Sequence, residues 1–290
     1  MAPPLSFHYV NDSVPEDTTR LLREACEQRD IEFIEINAPE FDYQPERRLA
    51  PGAMLYKAAV SAPGAFVEQF LYTPGVATFY SQPDGPLLYR VNPTLCFERA
   101  GLPTPRSVYV TTMNRDVIKA HVANLGGFPV IVKMMGNSRG IGVMRADSYP
   151  TLYSLLDYAL SLGKFPLLAA YIDHAVHWRA VIVGDRMVAH YRNVTDEDDF
   201  RTSGSDEAED YTAPPPEELE ALAVGAVQAI GDEFGGVDVL EHPSGRLYVL
   251  ESNNPCYFGA AQLQGGVDVA GKMVEYLREK ATRLRAALVA

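Results

Sequence analysis

Cysteine is scarce in this 290-residue chain: Cys26, Cys96 and Cys256 lie far apart and show no metal-ligand spacing. Neither a disulfide framework nor a zinc cluster is expected, and the count fits a reducing compartment. Basic residues are in deficit, with 25 Lys and Arg against 38 Asp and Glu and a net charge of −13. That balance argues against a broad nucleic-acid-binding face, because neutralising phosphates takes clustered cations. It does not exclude a small nucleotide, since a cleft can gather a few basic groups. No apolar run approaches membrane-spanning length. The opening "MAPPLSFHYV" has no basic segment followed by an apolar stretch, so no secretory leader is expected. The expectation is a cytoplasmic protein with neither membrane nor nucleic-acid partners.

What is present is regular alternation. "LSFHYV" reads as a strand, "PEDTTRLLREACEQRD" as an amphipathic helix and "IEFIEIN" as a second strand. "GAMLYKA", "GAFVEQFLYTPG" and "VATFYS" repeat the strand–helix–strand order, which predicts a parallel α/β layer. Residues 81–86, "SQPDGP", carry the turn chemistry of a linker. Beyond it, a helix is expected at about 92–101. Strands follow in "RSVYVTT" and "PVIVKMM", with the helical "NRDVIKAHVANLG" between them. "VMRADS", the helix "YPTLYSLLDYALSLG" and "FPLLAAYI" come next. The last part reads as the hairpins "WRAVIVGDRMVAHYRNV" and "GVDVLEHPSGRLYVLESN", with a helix between them and one after. The acidic "TDEDDF…SDEAED" reads as a solvated loop.

Lys133 stands at the end of a strand and directly ahead of a loop holding Gly136, Gly140 and Gly142. A lysine so placed can hold phosphate oxygens while loop N–H groups supply further donors. A surface hairpin whose glycines merely make the turn accounts for the same stretch. It is not a Walker loop, in which the lysine comes last. In the final hairpin Asp238 faces Glu251 and Asn253, which are two apart and share a side of their strand. Three oxygen donors converging in this way suit Mg²⁺, which takes one or two carboxylates and completes its shell with phosphates and water. The ordinary alternative is a set of polar residues at strand ends. Arg179 begins an apolar strand and Arg201 sits in "DDFRTSG". Arginine forks suit phosphate and carboxylate oxygens, and equally a surface ion pair.

Taken in order, "PVIVKMMGNSRGIGV", "RAVIVGDRMVA", "DFR", "GVDVL", "LESN" and "GVDVAGKM" resemble the ATP-grasp superfamily, and most of all its RimK-like amino-acid and peptide ligases. The resemblance runs from about residue 85 to 280. It implies an α/β fold of three-domain ATP-grasp architecture. An N-terminal parallel α/β domain would take 1–83, a central α+β lid domain 84–167, and a C-terminal α+β domain with an antiparallel sheet and the metal site 168–290. By the same resemblance Lys133 contacts the nucleotide phosphates and Arg90 the nucleotide. The loop from Gly136 to Gly142, with Ser138, Arg139, Gly140 and Ile141, closes over them as a mobile flap. Tyr171 and Ile172 line the adenine at a hinge. Asp238, Glu251 and Asn253 hold Mg²⁺, as one or two ions that Mn²⁺ replaces, and Arg179, Arg201 and Lys133 steady the reacting groups.

The implied reaction turns a carboxylate into an acyl phosphate with ATP, and an amine then displaces phosphate to give an amide. Both substrates are expected to be small molecules, amino-acid or peptide-like, joined within one molecule or between two, and the protein is expected to be a homo-oligomer. An ATP-binding partner protein with little or no turnover, and a phosphotransferase, are the other readings. Three places depart from the pattern. Arg90 stands for the usual lysine, Ala169 and Ala170 precede the hinge where an amide and an acid are usual, and "ESNNPCYFGAAQ" replaces the usual turn after the metal-binding asparagine.

Overall fold

The computed structural model describes residues 5–82, 85, 93–134, 140–193, 200–201 and 209–289. Arg90, Gly136, Ser138 and Arg139 lie outside these, as do 194–199 and 202–208 within the acidic stretch.

Three sheets carry the chain. In the first, β1 (Ser6–Asn11) lies between β2 (Glu32–Asn37) and β3 (Met54–Lys57), all parallel. Parallel neighbours require crossovers, and α1 (Glu16–Glu27) and α2 (Ala62–Leu71) are the helices of this layer. Leu21, Leu22, Ala25 and Cys26 give α1 its buried stripe, while Glu16 and Asp17 place negative charge at its positive end.

The expected strand "VATFYS" is not one. Ala77 makes a single parallel bridge to Met54, and Tyr80 then makes an antiparallel bridge to Asp232. Ala77 exchanges backbone bonds with Ala53 and Leu55, whereas the Phe79 carbonyl accepts from the Glu233 N–H. The segment divides its hydrogen bonds between two layers, and neither layer pairs enough of it to make a strand.

After α3 (Pro93–Arg99), the second sheet runs β4 (Ser107–Tyr109), β7 (Leu167–Ala170), β5 (Val130–Lys133), β6 (Val143–Ala146), with antiparallel neighbours. Helices α4 (Arg115–Leu125) and α5 (Tyr149–Ser161) cover it, packing Ile118, Val122, Leu152 and Leu156 on Val130, Val132 and Leu168. The Asn114 side chain caps α4 by accepting from Asp116 N and Val117 N, and left-handed Gly126 ends it.

The third sheet is antiparallel, in the order β11 (Leu247–Asn253), β10 (Phe234–Glu241), β8 (Val176–Val183), β9 (Arg186–Asn193). Its two faces belong to different cores. Trp178, Ala180, Ile182, Val237 and Val239 meet α6 (Leu219–Ala229), together with Phe97 of α3. Val181, Val183 and Phe234 meet Phe7 and Tyr9 of the first layer and Met273 of α8 (Val269–Val289). Burial from both sides explains why β8 reads as an almost unbroken apolar run.

Two elements cross the divisions drawn from the sequence: β7 extends past residue 167 inside the second sheet, and α3, from the 84–167 span, packs on the third. A short helix that sequence patterning did not suggest, α7 (Gly259–Gly265), follows β11. Its seven residues begin and end in glycine and carry too little periodicity to announce a helix.

Candidate active site

Antiparallel pairing sets Tyr191, Arg179, Asp238 and Glu251 in one row across β9, β8, β10 and β11. Residues directly opposite in a sheet share a face, so all four side chains project to the same side. Asn253, two residues beyond Glu251, keeps that face and lies opposite Gly236. The two carboxylates and the amide therefore share one face of the sheet.

Asp238 is buried, at 8% exposure. Arg179 Nη1 donates to its Oδ2 at 2.6 Å, and His177 Nε2 lies 3.1 Å from its Oδ1. Burial alone would raise this carboxyl's pKa, but the Arg179 charge and the two hydrogen bonds hold it well below the ordinary carboxylate range. Arg179 shows the converse: burial opposes its charge, Asp238 outweighs burial, and the guanidinium stays protonated. Its Nε is buried without a hydrogen-bond partner among the described residues, so the fork has unmet donor capacity. The guanidinium lies flat over Gly236, where a Cβ would come within 2.7–2.8 Å of it. Only glycine leaves this space.

From the second sheet, Lys133 Nζ reaches across to Glu251 Oε2 at 2.6 Å, and Asn253 Nδ2 donates to Glu251 Oε1 at 2.9 Å. Lys133 and Glu251 are both part exposed where the two sheets meet. Behind them Cys256 is buried. Loss of solvent pushes its thiol up to about 12, so it is protonated at neutral pH and no nucleophile. Burial likewise raises the Tyr191 phenol to about 12.

The segment expected to form the hinge follows β7. Tyr171 stacks under the Arg145 guanidinium, 4.7 Å from its ring centroid, and Ile172 beside it is part buried. His174, at φ +50°, turns the chain into β8. At the far end of the glycine loop, Gly140 and Gly142 have φ of +69° and +80°, the Gly142 carbonyl accepts from Met134 N, and Ile141 is exposed. Arg201 is part buried beyond the end of β9. Sequence patterning overlooked His177. The only signal was a polar residue two before Arg179 in an otherwise apolar strand.

The donor set fits a hard divalent cation: two carboxylates and an amide oxygen on one face, with one carboxylate still open to solvent. Among the described residues no group of three or more His, Cys, Asp and Glu is placed to hold a metal. A cation here would complete its shell with phosphate oxygens, as Mg²⁺ does.

The profile of the RimK-like ATP-grasp domain matches residues 96–277. The chain belongs to the RimK-like ATP-grasp family. It is an ATP-dependent, amide-forming ligase by that membership, and its curated relatives carry ligase names. It is 29% identical over 283 residues to a probable alpha-L-glutamate ligase of Picosynechococcus sp., covering 91% of this chain and 92% of the relative. It is 31% identical over 161 residues to the ribosomal protein bS6–L-glutamate ligase of Escherichia coli, and there spans about half of the relative's length, 53%. Among solved structures, the ATP-grasp ligase PsnB complexed with a minimal precursor superposes with a TM-score of 0.72 at 17% identity, over 96% of this chain and all of PsnB. This ATP-grasp chain has no helix long and apolar enough to cross a membrane among its described residues.

Proposed function

We propose that the protein joins an amino-acid or peptide-like carboxylate to an amine, with ATP and Mg²⁺ as its requirements. The observation that carries this reading is the meeting of Lys133 from one sheet with Glu251, Asn253, Asp238 and Arg179 from another. The nucleotide would lie between the second sheet, with the segment after β7, and the third sheet. The E. coli relative named above acts on ribosomal protein bS6 and glutamate, and PsnB has been captured with its precursor, Mg and ADP. Both support an amino-acid or peptide substrate class.

A substrate carboxylate oxygen would attack the γ-phosphorus of ATP, releasing ADP. The amine nitrogen would then attack the acyl carbon, expelling phosphate and losing a proton. Phosphoryl transfer between two anions needs charge neutralisation and alignment more than a covalent protein group. Lys133 would leave Glu251 for the phosphates. Asp238, Glu251 and Asn253 would hold Mg²⁺, which when bound neutralises phosphate charge. Arg179 and Arg201 would steady the transferred phosphoryl group or the substrate carboxylate, and the Arg179 Nε, which has no hydrogen-bond partner among the described residues, suits that role. The 136–142 loop would complete the phosphate grip, with Arg90 on the nucleotide and Tyr171 and Ile172 against adenine. An acyl phosphate must be kept from water if an amine is to reach it, which is the use of a closing loop. We also propose a homo-oligomer in the cytoplasm.

The test is phosphate release from ATP and Mg²⁺ across a panel of amino acids and dipeptides, with mass spectrometry of the product. An amide appearing in step with free phosphate supports the ligase. A stable phosphorylated compound would mean a phosphotransferase, and nucleotide binding without turnover on any substrate a binding protein.

A further inference from the structure

His177 is 6% exposed and lies two residues before Arg179, on the same face of β8. It sits opposite Leu240, and so diagonally across from Asp238. Its ring is held at both nitrogens. Asn193 Nδ2, from β9, lies 2.9 Å from Nδ1, and Asp238 Oδ1 lies 3.1 Å from Nε2. An amide nitrogen only donates, so Nδ1 is the acceptor. The ring proton is thereby assigned to Nε2, which donates to Asp238.

Asp238 consequently receives one donor on each oxygen, His177 on Oδ1 and Arg179 on Oδ2. A carboxylate held by Arg179 alone, through one Nη1 bond, could still turn about its Cβ–Cγ bond. Two donors on two oxygens fix the plane. Each oxygen has a second lone pair, and with the plane fixed those lone pairs point in a set direction.

We infer that His177, oriented by Asn193, is a positioning residue that locks the Asp238 carboxylate in the orientation needed to ligate the divalent cation bound with the nucleotide. The inference rests on the proposed function, which makes Asp238 a metal ligand. In that role His177 would touch neither metal nor substrate. It acts as the outer partner of a ligand, a kind of contact whose loss typically weakens metal binding by about ten- to a hundredfold.

The test is Mn²⁺ binding to the full chain with a non-hydrolysable ATP analogue, followed by electron paramagnetic resonance. His177→Leu removes both ring bonds and is expected to weaken Mn²⁺ binding about tenfold, while the metal-free analogue binds as before. His177→Gln retains an amide donor toward Asp238 and should recover most of the loss. Asn193→Ala leaves the ring in place but unoriented and should show a smaller loss; it carries the test if His177→Leu does not fold. In turnover, the Mg²⁺ concentration for half-maximal rate should rise more than kcat falls at saturating Mg²⁺. A folded His177→Leu or Asn193→Ala with wild-type Mn²⁺ affinity would overturn the positioning role. Equal losses in His177→Leu and His177→Gln would overturn it too, because packing rather than the donor would then be at work. If the unmutated protein fails to bind Mn²⁺ with the analogue, the proposed function falls, and this inference with it.

Discussion

Lys133 and Glu251 are 118 residues apart, on different sheets, and share a 2.6 Å hydrogen bond. Glu251 also accepts from Asn253 and lies opposite Asp238 in the sheet. The bond thus joins the lysine proposed for phosphate with a carboxylate proposed for metal. Under the proposed function, an incoming nucleotide with its cation would exchange one positive partner of Glu251 for another and free Lys133 for the phosphates.

Lys133→Met should slow ADP formation about a hundredfold, or roughly 3 kcal/mol of transition-state stabilisation. Stability should hardly change, by about 1 kcal/mol at most, because the ion pair is a third exposed and solvent screens it. Steady-state kinetics beside a thermal melt would show both. A folded variant with near-normal rates would remove Lys133 from the machinery.

Glu251→Gln retains the shape and removes the charge. It should raise the Mg²⁺ needed for half-maximal turnover about tenfold. Asn253→Asp adds a charge to the same cluster and should lower that concentration while slowing the steady-state rate. An unchanged Mg²⁺ dependence in both variants would contradict the metal site.

Gly236→Ala places a methyl group within 2.7–2.8 Å of the Arg179 guanidinium. Arg179 cannot retreat without loosening its bond to Asp238, so the substitution should destabilise the protein by about 1–3 kcal/mol. Activity should fall further than stability explains. Urea unfolding and kcat at saturating substrate, measured on the same preparation, separate the two effects.

His8, on β1, has its pKa lowered by burial from 6.5 to about 4. The unfolded chain therefore binds more protons than the folded one between those values. Stability from the part-buried neutral imidazole is complete above pH 6.5 and is lost as pH falls toward 4, by about 1–3 kcal/mol. Urea midpoints at pH 7 and pH 5 should differ less in His8→Gln than in the unmutated protein. Equal acid sensitivity would place the titrating group elsewhere.

Much of the site was legible along the chain because its parts are local. Lys133 closes a short apolar strand, and the β10–β11 hairpin brings Asp238 opposite Glu251 through the turn at "HPSG". Side-chain alternation in one hairpin is a property of a few consecutive residues, as is the left-handed backbone at Gly140 and Gly142.

Only the tertiary structure decided what those parts meet. Periodicity says which face of a strand is buried but not which strand lies beside it. Arg179 reaches Asp238 because β8 inserts next to β10, giving the order β11-β10-β8-β9. The same insertion makes His177 a donor to a carboxylate 61 residues away. Residues 76–81 have a strand's composition, yet their backbone bonds go to two layers. The sequence by itself determined which groups were available: a lysine, an arginine, two carboxylates and an amide. Their convergence depended on long-range strand pairing, in which backbone hydrogen bonds are nearly alike for every partner and burial of whole layers makes the choice.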